Sequence, residues 1–127
     1  MSGPNENAQP ARVLIADDEP GVLELLQEFL ADEGYEVATA ATGTEVLDLV
    51  AGFRPDVVVL DMAMPGMSGA EVLAALRGRG VQAPVIVISG ATGAAGPRFF
   101  EILTKPFHFP AIARAVAAAV EQGRGRG

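Results

Sequence analysis

Three carboxylates, one hydroxyl and one ammonium carry the chemistry that this 127-residue sequence could perform. Asp17 and Asp18 close the apolar run Val13-Leu14-Ile15-Ala16, and Asp61 closes Val57-Val58-Val59-Leu60. Ser89 closes Val85-Ile86-Val87-Ile88, and Lys105 follows Ile102-Leu103-Thr104. If each run is a strand of one parallel sheet, the polar residues meet at its carboxyl edge, where open α/β sheets bind ligands. Oxygen donors of this kind suit Mg²⁺, which is usually held by a few carboxylates together with phosphate oxygens. The cation would relieve repulsion between adjacent acids and neutralise charge on a transferring phosphoryl group. Such a transfer asks chiefly for in-line positioning and electrostatic stabilisation, which a metal ion and an ammonium supply. Lys105 is the sole lysine beside eight arginines, so a compact point charge stands where the rest of the composition uses a planar fork.

The elements that must position these groups follow from periodicity. Strand-like runs alternate with helix-like ones in βαβα order, which predicts an α/β domain with a parallel sheet covered on both faces. Val22, Leu25, Leu26, Phe29 and Leu30 recur at helical spacing after Pro20, and Gly34 is suited to end that helix. Tyr35-Glu36-Val37-Ala38-Thr39 reads as a short second strand. Thr42-Gly43-Thr44-Glu45 and Ser68-Gly69-Ala70-Glu71 both fit a capping box. The first opens a helix bearing Val46, Leu47, Leu49 and Val50 and closed by Arg54-Pro55; the second opens one bearing Val72, Leu73 and Leu76 and stopped by Gly78 and Gly80. A last helix is expected from about Pro110 to Gln122, with Ile112, Val116 and Val120 on one stripe. Between Ser89 and Lys105, Gly90, Gly93, Gly96 and Pro97 leave little room for a stable helix, so a fourth helix there is expected to be short or absent. The expected organisation is a disordered polar tail over residues 1–10, one domain over residues 11–122, and a Gly/Arg tail over residues 123–127.

Composition narrows the class. Half of the residues are apolar, enough for one buried core in a chain of this length. The net charge of −7 argues against nucleic acid as a partner, because nonspecific affinity for phosphate backbones comes from clustered Lys and Arg. The absence of cysteine excludes disulfides, thiolate zinc sites and cysteine nucleophiles together. Residues 1–10 have neither the positive start nor the apolar core of a signal peptide, and no stretch approaches the roughly 18 to 20 apolar residues of a membrane span. A soluble, cytoplasmic protein with no membrane partner is expected.

Asp17-Asp18, Asp61 in Asp61-Met62-Ala63-Met64-Pro65-Gly66-Met67-Ser68-Gly69, Ser89-Gly90-Ala91 and Thr104-Lys105-Pro106-Phe107 make the chain resemble the response-regulator receiver domains of two-component signalling, over residues 12 to about 122. The resemblance implies a flavodoxin-like, doubly wound, five-stranded parallel sheet of order 2-1-3-4-5. It implies that Asp61 is the phosphoacceptor, taking the group from a phosphohistidine of a histidine kinase or histidine phosphotransferase, or from a small phosphodonor, to form an acyl phosphate. It also implies Mg²⁺ held by Asp17, Asp18, Asp61 and the backbone carbonyl of Ala63. Ser89 would bond a phosphoryl oxygen, and Lys105 would pair with the carboxylate or the phosphoryl oxygens. By the same resemblance the chain is a switch or relay and not an enzyme, with a downstream output protein as a further partner.

Two features, one interval and one residue, depart from the family's pattern. Ser89 and Lys105 are 16 positions apart, fewer than in most relatives, which puts in doubt the signalling surface that relatives build from the fourth helix, fifth strand and last helix. Ile102 stands where the family commonly has Tyr or Phe, and an aliphatic side chain cannot make a ring's inward and outward swing. Phe99 and Phe100 are expected to cover sheet left bare by the shortened helix, and the segment from Ser89 to Pro97 to report activation. Ala63 and Ala91 would flank the phosphorylated residue with methyl groups that neither orient nor deprotonate water, so these positions favour no fast self-dephosphorylation.

Each site residue also has a plainer role open to it. Asp17-Asp18-Glu19 suits a helix start, Asp61 a turn, Ser89 a strand-end hydroxyl and Lys105 a surface charge; the site reading rests on their joint order. Met62, Met64 and Met67 suit packing at the rim better than metal ligation, and His108 lacks a partner ligand and is expected to be exposed. The stretch Gly90 to Gly96 has neither dinucleotide-loop nor P-loop spacing. Two other classes compete. One is a phosphorylation-independent pseudo-receiver that acts as an interaction module. The other is a phosphohydrolase of the haloacid dehalogenase type, which usually carries its nucleophile in an Asp-x-Asp pattern on the first strand, where this chain has an adjacent acid pair.

Overall fold

The computed structural model describes residues 10–90 and 99–125. Its elements run β1 (Arg12–Ala16), α1 (Pro20–Asp32), β2 (Glu36–Ala40), α2 (Gly43–Phe53), β3 (Val57–Asp61), α3 (Gly69–Gly78), β4 (Val85–Ser89), β5 (Glu101–Thr104) and α4 (Phe109–Gly125). The five strands form one sheet of order β2-β1-β3-β4-β5, parallel throughout, so the flavodoxin-like 2-1-3-4-5 arrangement is present. The expectation of a short or absent fourth helix falls largely on residues 91–98, which lie outside the described residues, as do Ala91 and most of the Ser89 to Pro97 segment.

β3 and β4 are buried along their whole length and β1 nearly so, as unbroken Val/Ile/Leu runs require when helices cover both faces of a sheet. Alternation along the strands then divides the core. Leu14, Val58, Leu60, Val85 and Val87 pack on the α2 and α3 side, while Val13, Ile15, Val57, Val59, Ile86 and Ile88 pack on the α1 and α4 side. Phe99 joins the first cluster and Phe100 the second, so the two rings take opposite faces at the entrance to β5.

Helical spacing overstates two leucines. Leu25 is 55% exposed and Leu49 37%, although both fall near an apolar stripe. In α1 the buried arc centres on Leu26 and Leu30 and takes in Leu23; Leu25 stands about 100° around the helix from Leu26, beyond the reach of the sheet. α2 closes at Arg54, which adopts the left-handed conformation (φ 56°) just before Pro55, a neighbour that disfavours the right-handed helical region. α4 runs to Gly125 and so extends into the Gly/Arg segment expected to lie beyond it. Among the described residues no helix is long and apolar enough to cross a membrane.

Candidate functional site

Sheet register brings the polar strand ends level. Ala16 lies opposite Leu60, so Asp17 and Asp61 occupy neighbouring places at the carboxyl edge; Ser89 lies opposite Thr104, so Lys105 follows directly beside it. The strand period of two also puts Asp17 in the row of Val13 and Ile15, and Asp61 in the row of Val57 and Val59. Backbone bonds extend the ladder past the strands: Asp17 N–H donates to the Ala40 carbonyl at 3.2 Å, Met62 N–H to Ile88 at 2.9 Å, and Lys105 N–H to Ser89 at 2.8 Å. The site residues are thereby held by the most buried part of the fold.

Asp17, Asp61 and Ser89 are the buried polar residues among those described, at 1%, 5% and 2% exposure. Asp18 is exposed, so the adjacent acids are not equivalent. Asp17, Asp18 and Asp61 each offer a carboxylate oxygen, and the three oxygens lie within 4.8 Å of one another. Lys105 Nζ stands 3.6 Å from Asp61 Oδ2, while Asp61 Oδ1 accepts from the Ala63 N–H at 3.3 Å. Asp17 Oδ1 accepts from the Glu19 N–H at 2.9 Å; its Oδ2 is buried with no hydrogen-bond partner among the described residues. Burial raises the Asp17 carboxyl above its ordinary range, opposed by the Glu19 N–H; the Asp61 charge raises it further, Lys105 lowers it, and Asp18 adds a last upward push.

These features fit a hard divalent cation. A buried oxygen without a partner, inside a cluster of three carboxylates that face one ammonium, is the electrostatic condition that such an ion relieves. Met64 is buried, and Met62 and Met67 pack against the α2 and α3 side of the core, so the methionines shape the loop after Asp61. His108 is exposed, and its carbonyl accepts the Ala111 and Ile112 N–H groups at the start of α4. Ile102 is 39% exposed on β5. Sequence reasoning missed the two backbone donors, the Glu19 and Ala63 N–H groups. Each lies two residues after the aspartate it serves, a spacing at which Asp commonly bonds its own backbone.

A family model described as the response regulator receiver domain matches residues 13–117. The transcriptional regulatory protein KdpE of Mycobacterium tuberculosis is 41% identical over 116 residues, which cover 87% of this chain and 51% of that protein. The response regulator MprA of Mycolicibacterium vanbaalenii is 45% identical over 80 residues, covering 63% of this chain and 35% of MprA. The chain thus spans about half the length of its KdpE relative. Among solved structures, a response regulator receiver domain protein from Clostridium thermocellum superposes with a TM-score of 0.84 at 29% identity, covering 92% of this chain and 99% of that one. The chemotaxis response regulator CheY4 of Vibrio cholerae gives 0.79 at 30% identity, with 87% and 99% covered. Sheet order, site geometry and these likenesses agree, and the chain belongs to the response regulator receiver domain family of two-component systems.

Proposed function

We propose that this chain is the phosphoacceptor receiver of a two-component or phosphorelay system, in which Asp61 takes a phosphoryl group from a histidine kinase or histidine phosphotransferase. The observation that carries this reading is the buried Asp61 carboxylate, paired at 3.6 Å with the sole lysine and clustered with Asp17 and Asp18. The Ala63 N–H on one oxygen and Lys105 beside the other fix the plane of that carboxylate, the kind of prior orientation that phosphoryl transfer needs. Asp17, Asp18, Asp61 and the Ala63 carbonyl would hold Mg²⁺. When bound, the ion neutralises charge on the carboxylates and on the transferring oxygens. An Asp61 oxygen attacks phosphorus in line; the P–O bond forms as the P–N bond to the donor histidine breaks, and the departing imidazole nitrogen keeps the electron pair and takes up a proton. Ser89 donates its hydroxyl to a phosphoryl oxygen, and Lys105 balances the negative charge that arrives.

The product is an acyl phosphate on the protein itself, so the chain acts as a switch or relay and not as a turnover enzyme. Its functional unit is residues 11–122, its setting cytoplasmic, and its partners the donor and a downstream output protein. Intact-mass analysis after incubation with acetyl phosphate and Mg²⁺ tests this. One labile phosphoryl adduct is expected in the native protein, and none with a chelator or in Asp61→Asn. A folded native protein that takes no adduct would contradict the proposal and leave the phosphorylation-independent interaction module standing.

A further inference from the structure

We propose that Gly43 is a positioning residue for the segment that follows Asp61, its bare Cα forming the seat on which Met67 and Val72 rest. The inference rests on Asp61 being the phosphoacceptor. Gly43 opens α2 and is buried, and it is not among the glycines with positive φ, so space and not backbone conformation demands glycine here. A Cβ at Gly43 would stand 2.7 Å from Val72 Cγ2 and 2.8 Å from Met67 Cβ. Of the other glycines described, only Gly69 is also confined, and less tightly, since its Cβ would meet Met62 Cα at 3.2 Å. Met67 beside Gly43 and Met62 beside Gly69 both belong to the stretch from Met62 to Gly69, so that stretch occupies the space a Cβ would need at either glycine.

That stretch leads to the phosphoacceptor by short steps. The clash at Met67 is with its Cβ, which is tied to the backbone and cannot swing aside as the end of a flexible side chain can. The Gly69 N–H donates to the Met62 carbonyl at 2.9 Å and the Met62 N–H to Ile88 at 2.9 Å, so the loop is pinned at its base. Between those pins the Ala63 N–H holds Asp61 Oδ1 at 3.3 Å. A methyl group on Gly43 would push Met67 and, two residues on, Gly69, whose N–H holds the Met62 carbonyl; that carbonyl and the Ala63 N–H share one planar peptide unit, so the displacement turns the Ala63 N–H away from the carboxylate it orients. Alanine also favours a helix more than glycine does, so the change need not weaken α2 itself.

The experiment compares native protein with Gly43→Ala, Gly43→Ala/Met67→Gly and Gly43→Ala/Val72→Ala. Phosphorylation rates with acetyl phosphate and Mg²⁺, thermal unfolding, and the Ala63 amide resonance are read for each. Gly43→Ala should phosphorylate about tenfold to a hundredfold more slowly, as expected for a small misplacement of an oriented group. Removing the Met67 Cβ should restore the rate and return the Ala63 amide shift towards native. Relieving Val72 instead should recover unfolding temperature without recovering rate, a split that a purely structural role would not produce. A native rate in Gly43→Ala, or rescue by Val72→Ala and not by Met67→Gly, would overturn the inference. If the native protein takes no phosphoryl group, the phosphoacceptor reading fails. The inference about Gly43 is then decided by the Ala63 amide, and an unmoved shift in Gly43→Ala would overturn it.

Discussion

A carboxylate as buried as Asp17, with one oxygen unpartnered, weakens the fold when ionised unless a cation meets it. Its folded-state pKa is raised above the ordinary carboxyl value, chiefly by burial, so between those two values the folded chain binds more protons than the unfolded chain. The contribution of Asp17 to stability therefore falls as pH rises through that window, and the deficit persists at neutral pH. Asp17→Asn removes the charge and keeps an acceptor for the Glu19 N–H. In chelator at pH 7 this variant is expected to be more stable than native by about 1–3 kcal/mol in urea unfolding, with the advantage shrinking as pH falls towards the ordinary carboxyl value. Mg²⁺ should stabilise the native protein by mass action and Asp17→Asn far less. An Asp17→Asn protein less stable than native in chelator would show that the buried charge is already compensated by the protein. That the candidate residues would meet at one sheet edge was readable from the polar ends of four apolar runs. The inequality of Asp17 and Asp18 was not, because adjacency in sequence conceals that the strand row of Val13 and Ile15 carries one acid inward and leaves the other in solvent.

At the level of elements, the two capping patterns behave differently. At α3 the box is complete: Ser68 Oγ accepts from the Glu71 N–H at 3.1 Å, and Glu71 Oε1 accepts from the Ser68 N–H at 2.8 Å. At α2 Thr42 accepts from the Glu45 N–H at 3.1 Å, but the Glu45 carboxylate reaches back one residue further, to the Ala41 N–H at 2.6 Å. The Thr/Ser-x-x-Glu spacing locates both helix starts; which amide the glutamate takes is set by the turn out of β2, which the pattern does not encode. Ser68 also ends the segment that begins at Asp61, so its cap anchors the far side of the site. Ser68→Ala should lower stability by about 1 kcal/mol in chemical denaturation, and an unchanged midpoint would mean that solvent satisfies these amides equally well. Leu25 and Leu49 show the complementary limit, since periodicity marks an apolar arc but not how far the sheet extends beneath it.

Across the whole molecule, the alternation of strands and helices predicts a parallel sheet, whereas the order β2-β1-β3-β4-β5 depends on which way each crossover turns and came from family resemblance. That order matters because it seats β1 beside β3 at the centre, where Asp17 and Asp61 become neighbours despite their distance in sequence. The sheet separates two hydrophobic clusters, and β1, β3 and β4 contribute to both, so the carboxyl edge is backed by packed core on either side. A candidate site so placed has little freedom to rearrange on receiving the proposed phosphoryl group. The claim that Asp61 receives that group is tested most directly by trapping the acyl phosphate with borohydride, which reduces the modified carboxyl to an alcohol, and mapping the altered peptide by mass spectrometry. Reduction at Asp61 alone, and only when phosphodonor and Mg²⁺ are both supplied, is the predicted result; reduction at Asp17 or Asp18, or at no residue of the folded protein, would contradict the account.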